Sequence, residues 1–227
     1  MPFKAVFFYT ILMRLLKEEL AGIGQFLKRN SSETIIIASA ILFLTLDRYH
    51  PLQPEWLGTF IYCAVCPILV ILIILRKNPL NFGLRLGVPR IWGLHVGVIC
   101  LAAAVILYAS SFSSSLQSYY RTENFDFLIY FLTSCVSLSA SEFIYRGYLL
   151  FGLKEKFKEG SILLQMVPFA LMHLGKPELE TVSTIFTGIL FGYVAYRGKS
   201  YWPAFIIHLF INVFFLTLIN YRYPLQA

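Results

Sequence analysis

Glu142, Arg146, His173, His208 and Asn212 stand out because they fall inside apolar sequence. Glu142 and Arg146 are four apart in SASEFIYRGYLL, which puts them on one helical face. His173 closes the apolar run MVPFALMH, and His208 and Asn212 are one turn apart in PAFIIHLFINV. An ionisable group in hydrocarbon costs at least about 2.5–3.5 kcal/mol at a helix centre, so each invites a functional hypothesis. Taken singly, each has a plain explanation: an internal ion pair, an interfacial histidine, an interhelical hydrogen bond. Taken together, a carboxylate, two imidazoles and an amide delivered by three helices are the inventory for activating a water and holding an oxyanion in a protected cavity. A transporter also places such groups at mid-membrane, but no internal repeat or pair of broken helices supports one.

The elements that must position these residues follow from composition. Of 227 residues, 58% are apolar and 14% charged, against about 45–50% and about 25% in a soluble domain. That excludes a water-soluble fold, disorder, a collagen and a disulfide-stapled module. Cys63, Cys66, Cys100 and Cys135 all lie in apolar stretches. Cys63-x-x-Cys66 has the spacing of a redox or zinc pair, yet no second pair of ligands is nearby, and small buried residues are the simpler reading.

The first thirty residues mix apolar side chains with Lys4, Arg14, Lys17, Glu18, Glu19, Lys28 and Arg29, the pattern of a helix lying on a membrane surface. Arg14 and the lack of a small-residue cleavage site argue against a signal peptide. Seven apolar stretches follow, at about 34–46, 56–75, 91–111, 127–150, 162–173, 182–196 and 203–219. A straight span needs about 20 residues, so the first, fifth and sixth are short. The expected fold is all-α: a polytopic transmembrane bundle of about seven spans with an N-terminal amphipathic interfacial helix. Residues 1–30 form the surface helix and 31–227 one bundle domain, with the polar motifs in 141–212.

With the amino terminus inside, 14 of the 19 Lys and Arg residues fall on the inner side and four on the outer, and Arg146 lies within a span. The bias predicts a cytoplasmic amino terminus and an outer carboxyl terminus. It also turns the net charge of +7 from a nucleic-acid signal into an orientation signal. The basic loop RKNPLNFGLRLGVPR suits anionic lipid, and His95 reads as interfacial. Gly93-x-x-x-Gly97 and Gly188-x-x-x-Gly192 read as close-packing faces.

The order and spacing of the polar residues resemble the CPBP intramembrane proteases, the group of the CAAX-processing type II endopeptidases and many bacterial "Abi" proteins. That family shows Glu-Glu-x-x-x-Arg, then Phe-x-x-x-His, then His-x-x-x-Asn, each on its own helix. The counterparts are Ser141-Glu142-x-x-x-Arg146, Phe169-x-x-x-His173 and His208-x-x-x-Asn212. The resemblance implies an endopeptidase acting on a membrane-associated or lipid-anchored protein in a prokaryotic cell membrane. A glutamate and His173 would activate water, His208 and Asn212 would hold the oxyanion, and Arg146 would pair with Glu142. It implies no cofactor. Zinc on Glu142, His173 and His208 is the minority alternative.

Ser141 stands where the family has its first glutamate, the usual base. Four explanations compete, in this order: Glu142 takes over, about 100° round the helix; Glu180 or Glu178, in GKPELE, supplies the carboxylate; activity is lost; or Ser141 is a nucleophile with His173 as base. The alternative of a different class is a non-catalytic membrane scaffold or immunity-type protein that keeps the fold. A third is the transporter. The approximate spans place Glu142 and His208 nearer the inner side and His173 nearer the outer.

Overall fold

The computed structural model describes residues 2–222, with side chains from Met13 onward. Met1 and residues 223–227, where the outer carboxyl terminus is expected, lie outside the described residues. The described chain is helical without strands. In chain order the helices are α1 (Pro2–Arg29), α2 (Ser31–Tyr49), α3 (Glu55–Ile74), α4 (Pro89–Ser110), α5 (Ser114–Tyr120), α6 (Phe127–Phe157), α7 (Gly160–Leu171), α8 (Glu178–Gly198) and α9 (Trp202–Arg222).

Five of these, α3, α4, α6, α8 and α9, are long and apolar enough to cross a membrane. The other two of the seven expected stretches differ. α2 is 19 residues long but carries Glu33, Asp47 and Arg48. α7 has only 12 residues and holds Pro168 inside it. The protein is a polytopic helical bundle with its apolar surface turned outward: large side chains such as Leu94 and Leu101 on α4 are exposed, and α4 buries none of its residues. Hydrocarbon rather than water is the solvent that suits such a surface.

From Met13 to Arg29 every side chain of α1 is exposed, including Leu16, Leu20, Ile23 and Phe26. Arg14 pairs with Glu18 one turn on. From Met13 onward this helix lies outside the bundle core.

The core forms where α2, α3 and α6 meet, around Ile36, Ala40, Cys63, Ile71, Phe143, Ile144 and Tyr148. A second cluster joins α6, α7, α8 and α9 through Leu150, Ile162, Phe191, Ala195, Ala204 and Ile207. The four cysteines are free, and Cys63 is buried in the first cluster. Gly188 and Gly192 let α8 close on α7: a Cβ at Gly192 would fall 2.4 Å from Gln165 Nε2. Buried Gln165 instead donates to the carbonyl of Gly188 at 2.8 Å. Gly93 and Gly97 behave otherwise. A Cβ at either meets nothing within 4 Å, so the expectation of a packing face is corrected there: α4 turns these glycines away from its neighbours.

α6 runs 31 residues, or about 46 Å at 1.5 Å per residue. Residues Phe143–Leu149 within it form a wider π-helical turn, a local irregularity that recurs at functional sites. Because α6 is seven residues longer than the apolar count suggests, Glu142 lies at its middle. His173, in the turn after α7, and His208 flank one ring, Phe169, and His208 reaches Glu142. The expected mismatch in depth between Glu142, His208 and His173 is thereby removed.

Candidate active site

Glu142 is fully buried at the start of the π-helical turn. Its Oε1 accepts two hydrogen bonds, from Arg146 Nη1 at 2.9 Å and from His208 Nδ1 at 2.7 Å. Arg146 is equally buried, and neither its Nε nor its Nη2 has a hydrogen-bond partner. Those N–H groups meet aromatic faces instead. The guanidinium carbon lies 4.0 Å from the centroid of Phe169, 5.2 Å from Phe191 and 5.4 Å from Tyr145. Cation–π attraction in a desolvated site contributes about 2 kcal/mol or more, which helps offset burying the pair.

His173 lies in the turn just beyond α7, and its Nδ1 reaches the carbonyl oxygen of Phe169 at 2.7 Å. The backbone carbonyl of His173 in turn accepts from Thr181 Oγ1 at 2.9 Å. The rings of His173 and His208 flank Phe169, with centroids 4.7 and 6.0 Å from it. Both Nδ1 partners, a carbonyl and a carboxylate, are acceptors. Each Nδ1 therefore carries a hydrogen, and in the neutral form of each ring the lone pair lies on Nε2.

Both imidazoles line a cavity of about 390 Å³. Its walls come mainly from Leu107, Leu116, Phe186, Phe191, Ile211 and Phe215, and its polar lining includes Glu180, Thr184, Thr187 and Asn212. Asn212 donates to the backbone carbonyl of His208 at 3.1 Å, one turn back, which leaves its second amide hydrogen and its oxygen unengaged by that bond.

The two candidate carboxylates take different places. Glu142 does not line the cavity; it sits behind His208, whose side chain is 13% exposed. Glu180, in the first turn of α8, lines it directly. Glu180 pairs with Lys176 at 2.8 Å and accepts a hydrogen bond from the Tyr120 hydroxyl. It is also close enough to His173 to act on it electrostatically. Glu178 is exposed and Ser141 half-buried, and neither lines the cavity. Among the described residues no three His, Cys, Asp or Glu side chains form a group that could hold a metal ion.

Two residues of this arrangement escape the sequence reading. Tyr120 sits on the short polar helix α5, which has no apolar periodicity to announce it. Phe191, against Arg146 and His208, carries one faint signal: it lies between Gly188 and Gly192, the glycines that mark a close helix approach.

A buried carboxylate–imidazole pair beside a mostly apolar cavity, in a bundle with membrane-spanning helices, defines a polytopic membrane protein with an intramembrane polar site. Residues 122–214 match the family described as type II CAAX prenyl endopeptidase Rce1-like. The matched segment, less than half of the chain, contains all three polar motifs and is consistent with the CPBP resemblance; the matched family is one of proteases that act on membrane-associated substrates. Neither the curated proteins nor the solved structures include a match to the chain.

Proposed function

We propose that the protein is an intramembrane endopeptidase that hydrolyses a peptide bond in a membrane-associated or lipid-anchored protein. The observation that carries this reading is the Glu142–His208 hydrogen bond at 2.7 Å, made behind a histidine that faces a mostly apolar cavity. A carboxylate on Nδ1 fixes the imidazole tautomer and stabilises the imidazolium that forms when Nε2 takes a proton. Glu142 is thus a positioning residue, and His208 takes the proton of the attacking water. The water oxygen adds to the carbonyl carbon, and the Asn212 amide donates to the developing oxyanion. The proton on His208 passes to the leaving nitrogen as the C–N bond breaks. His173, with Glu180 nearby, is the second imidazole able to exchange protons in the cavity.

This reading moves His208 from the expected oxyanion site to the base, makes Glu142 its positioning partner rather than the base, shifts the direct carboxylate contact with the cavity to Glu180, and leaves Ser141 and Glu178 as neighbours. It needs no metal or cofactor. The charge bias supports a cytoplasmic amino terminus, and the bacterial relatives in the resembled group support a prokaryotic cell membrane.

The test is the membrane proteome. His173→Ala, His208→Ala and Glu142→Gln strains should each accumulate uncut precursors relative to wild type. Normal processing in all three overturns the reading. One observation favours a second reading, a non-catalytic membrane scaffold: Ser141 replaces the glutamate of the family pattern. A cellular phenotype that persists in His173→Ala and His208→Ala would support that scaffold.

A further inference from the structure

Asn212 lines two cavities. The first is the mostly apolar one that holds His173 and His208. The second, of about 500 Å³, lies between the N-terminal parts of α3 and α6 and the middle of α9. Its lining is of another character: Glu55, Thr59, Tyr130, Thr133, Ser134 and Ser137 surround it. Thr133 and Ser137 give their hydroxyl hydrogens to carbonyls one turn back, at 2.8 and 3.0 Å. Their oxygens therefore keep acceptor capacity. Glu55 and Trp56 at its rim are exposed.

Cavities lined by hydrocarbon stay dry, whereas a roomy cavity with several polar partners holds water. Peptide hydrolysis consumes one water per turnover, and the apolar walls around the site's polar groups, Leu107, Leu116, Phe186 and Phe215 among them, give that water nothing to bind on its way in. We propose that the second, hydroxyl-lined chamber is the water-entry path of the site, with Asn212 at the junction one helical turn from His208. Its use in turnover rests on the peptidase reading; the path itself does not. The chamber admits water from the Glu55 end of the bundle, the end that the charge distribution along the chain assigns to the outer side.

The experiment uses the full chain in liposomes, with Cys63, Cys66, Cys100 and Cys135 replaced by alanine. Ser137→Cys is treated with a hydrophilic, membrane-impermeant methanethiosulfonate reagent. Glu55→Cys marks the rim, and Leu101→Cys marks the exposed outer face of α4. Ser137→Cys should react at least tenfold faster than Leu101→Cys. Adding Thr133→Phe to fill the chamber should slow it at least tenfold, while the near-isosteric Thr133→Val should not. Ser137→Cys as slow as Leu101→Cys overturns the path, provided that Glu55→Cys reacts and so reports an accessible, folded protein. In the peptidase assay, Thr133→Phe should lower kcat at least tenfold with little change in KM. Fast labelling in a protein without peptidase activity would support the path and count against the peptidase reading. Full activity in a protein whose chamber is plugged by the labelling criterion would overturn the path alone.

Discussion

Glu142 on α6 and His208 on α9, 66 residues apart in the chain, are joined by a 2.7 Å hydrogen bond from the imidazole Nδ1 to the carboxylate. The same carboxylate oxygen holds Arg146 at 2.9 Å. One buried acceptor therefore ties the π-helical turn of α6 to the helix that carries His208 and Asn212, so the ion pair and the proposed site are one structure.

Removing either charge of that pair leaves the other buried and unpaired, which costs about 3–5 kcal/mol. Glu142→Ala and Arg146→Ala should each lower the thermal unfolding midpoint in detergent by several degrees. Glu142→Ala combined with Arg146→Met should recover much of the loss. A double variant as unstable as the two single losses added would show that the aromatic surroundings, not the missing counter-charge, set the cost.

Glu142→Gln also removes the counter-charge of Arg146, so its chemistry is read on the folded fraction of the protein. The amide still accepts from Arg146 or His208, yet it no longer stabilises an imidazolium. By analogy with amide replacement of a triad carboxylate, kcat should fall by a factor on the order of 10²–10⁴ with KM nearly unchanged. Retained kcat in a folded Glu142→Gln protein would remove the carboxylate from the mechanism.

Glu180 is the carboxylate that lines the cavity, so Glu180→Gln should also cost activity, by roughly 10–100-fold, within the range that one proton-exchange or electrostatic group supplies. Glu178→Gln, on the exposed side of the same helical turn, is the control and should behave as wild type. Equal effects of the two changes would assign the loss to α8 rather than to the cavity.

Burial, reinforced by the Glu180 carboxylate, holds the Tyr120 phenol well above the usual tyrosine range. The folded protein therefore keeps that proton more tightly than the unfolded chain does. The stability linked to it is complete below about pH 10, the ordinary tyrosine value, and declines as pH rises beyond it. Tyr120→Phe should flatten the alkaline slope of unfolding free energy against pH; an unchanged slope would place the titration elsewhere.

The two glycine pairs make opposite predictions. Gly192→Ala puts a methyl 2.4 Å from Gln165 Nε2 and should destabilise by about 1–3 kcal/mol through overpacking. Gly93→Ala meets open space and should be neutral or stabilising by roughly 0.5–1 kcal/mol from helix propensity. Thermal melts of the two variants check both at once.

The membrane class, the helical content and the identities of the polar residues were legible in the sequence, because each is a local property. An apolar run reports its solvent, and a spacing of four reports a shared helical face. Element boundaries were less legible: α6 continues seven residues past its apolar stretch, through Lys154 and Lys156 to Phe157, because backbone hydrogen bonding outlasts the hydrophobic pattern. α5 escaped altogether for want of any such pattern.

Sequence alone thus determined which side chains must be sheltered from lipid: Glu142, Arg146, His173, His208 and Asn212 carry polar groups that hydrocarbon cannot satisfy. Only the tertiary structure decided who satisfies whom. Glu142 faces His208 and not His173, Glu180 rather than Glu142 meets the cavity, and Asn212 stands between an apolar chamber and a hydroxyl-lined one. Those outcomes depend on how far each helix runs and on which face it packs, through contacts as distant as Tyr120 to Glu180 and Phe191 to Arg146. No local periodicity encodes them.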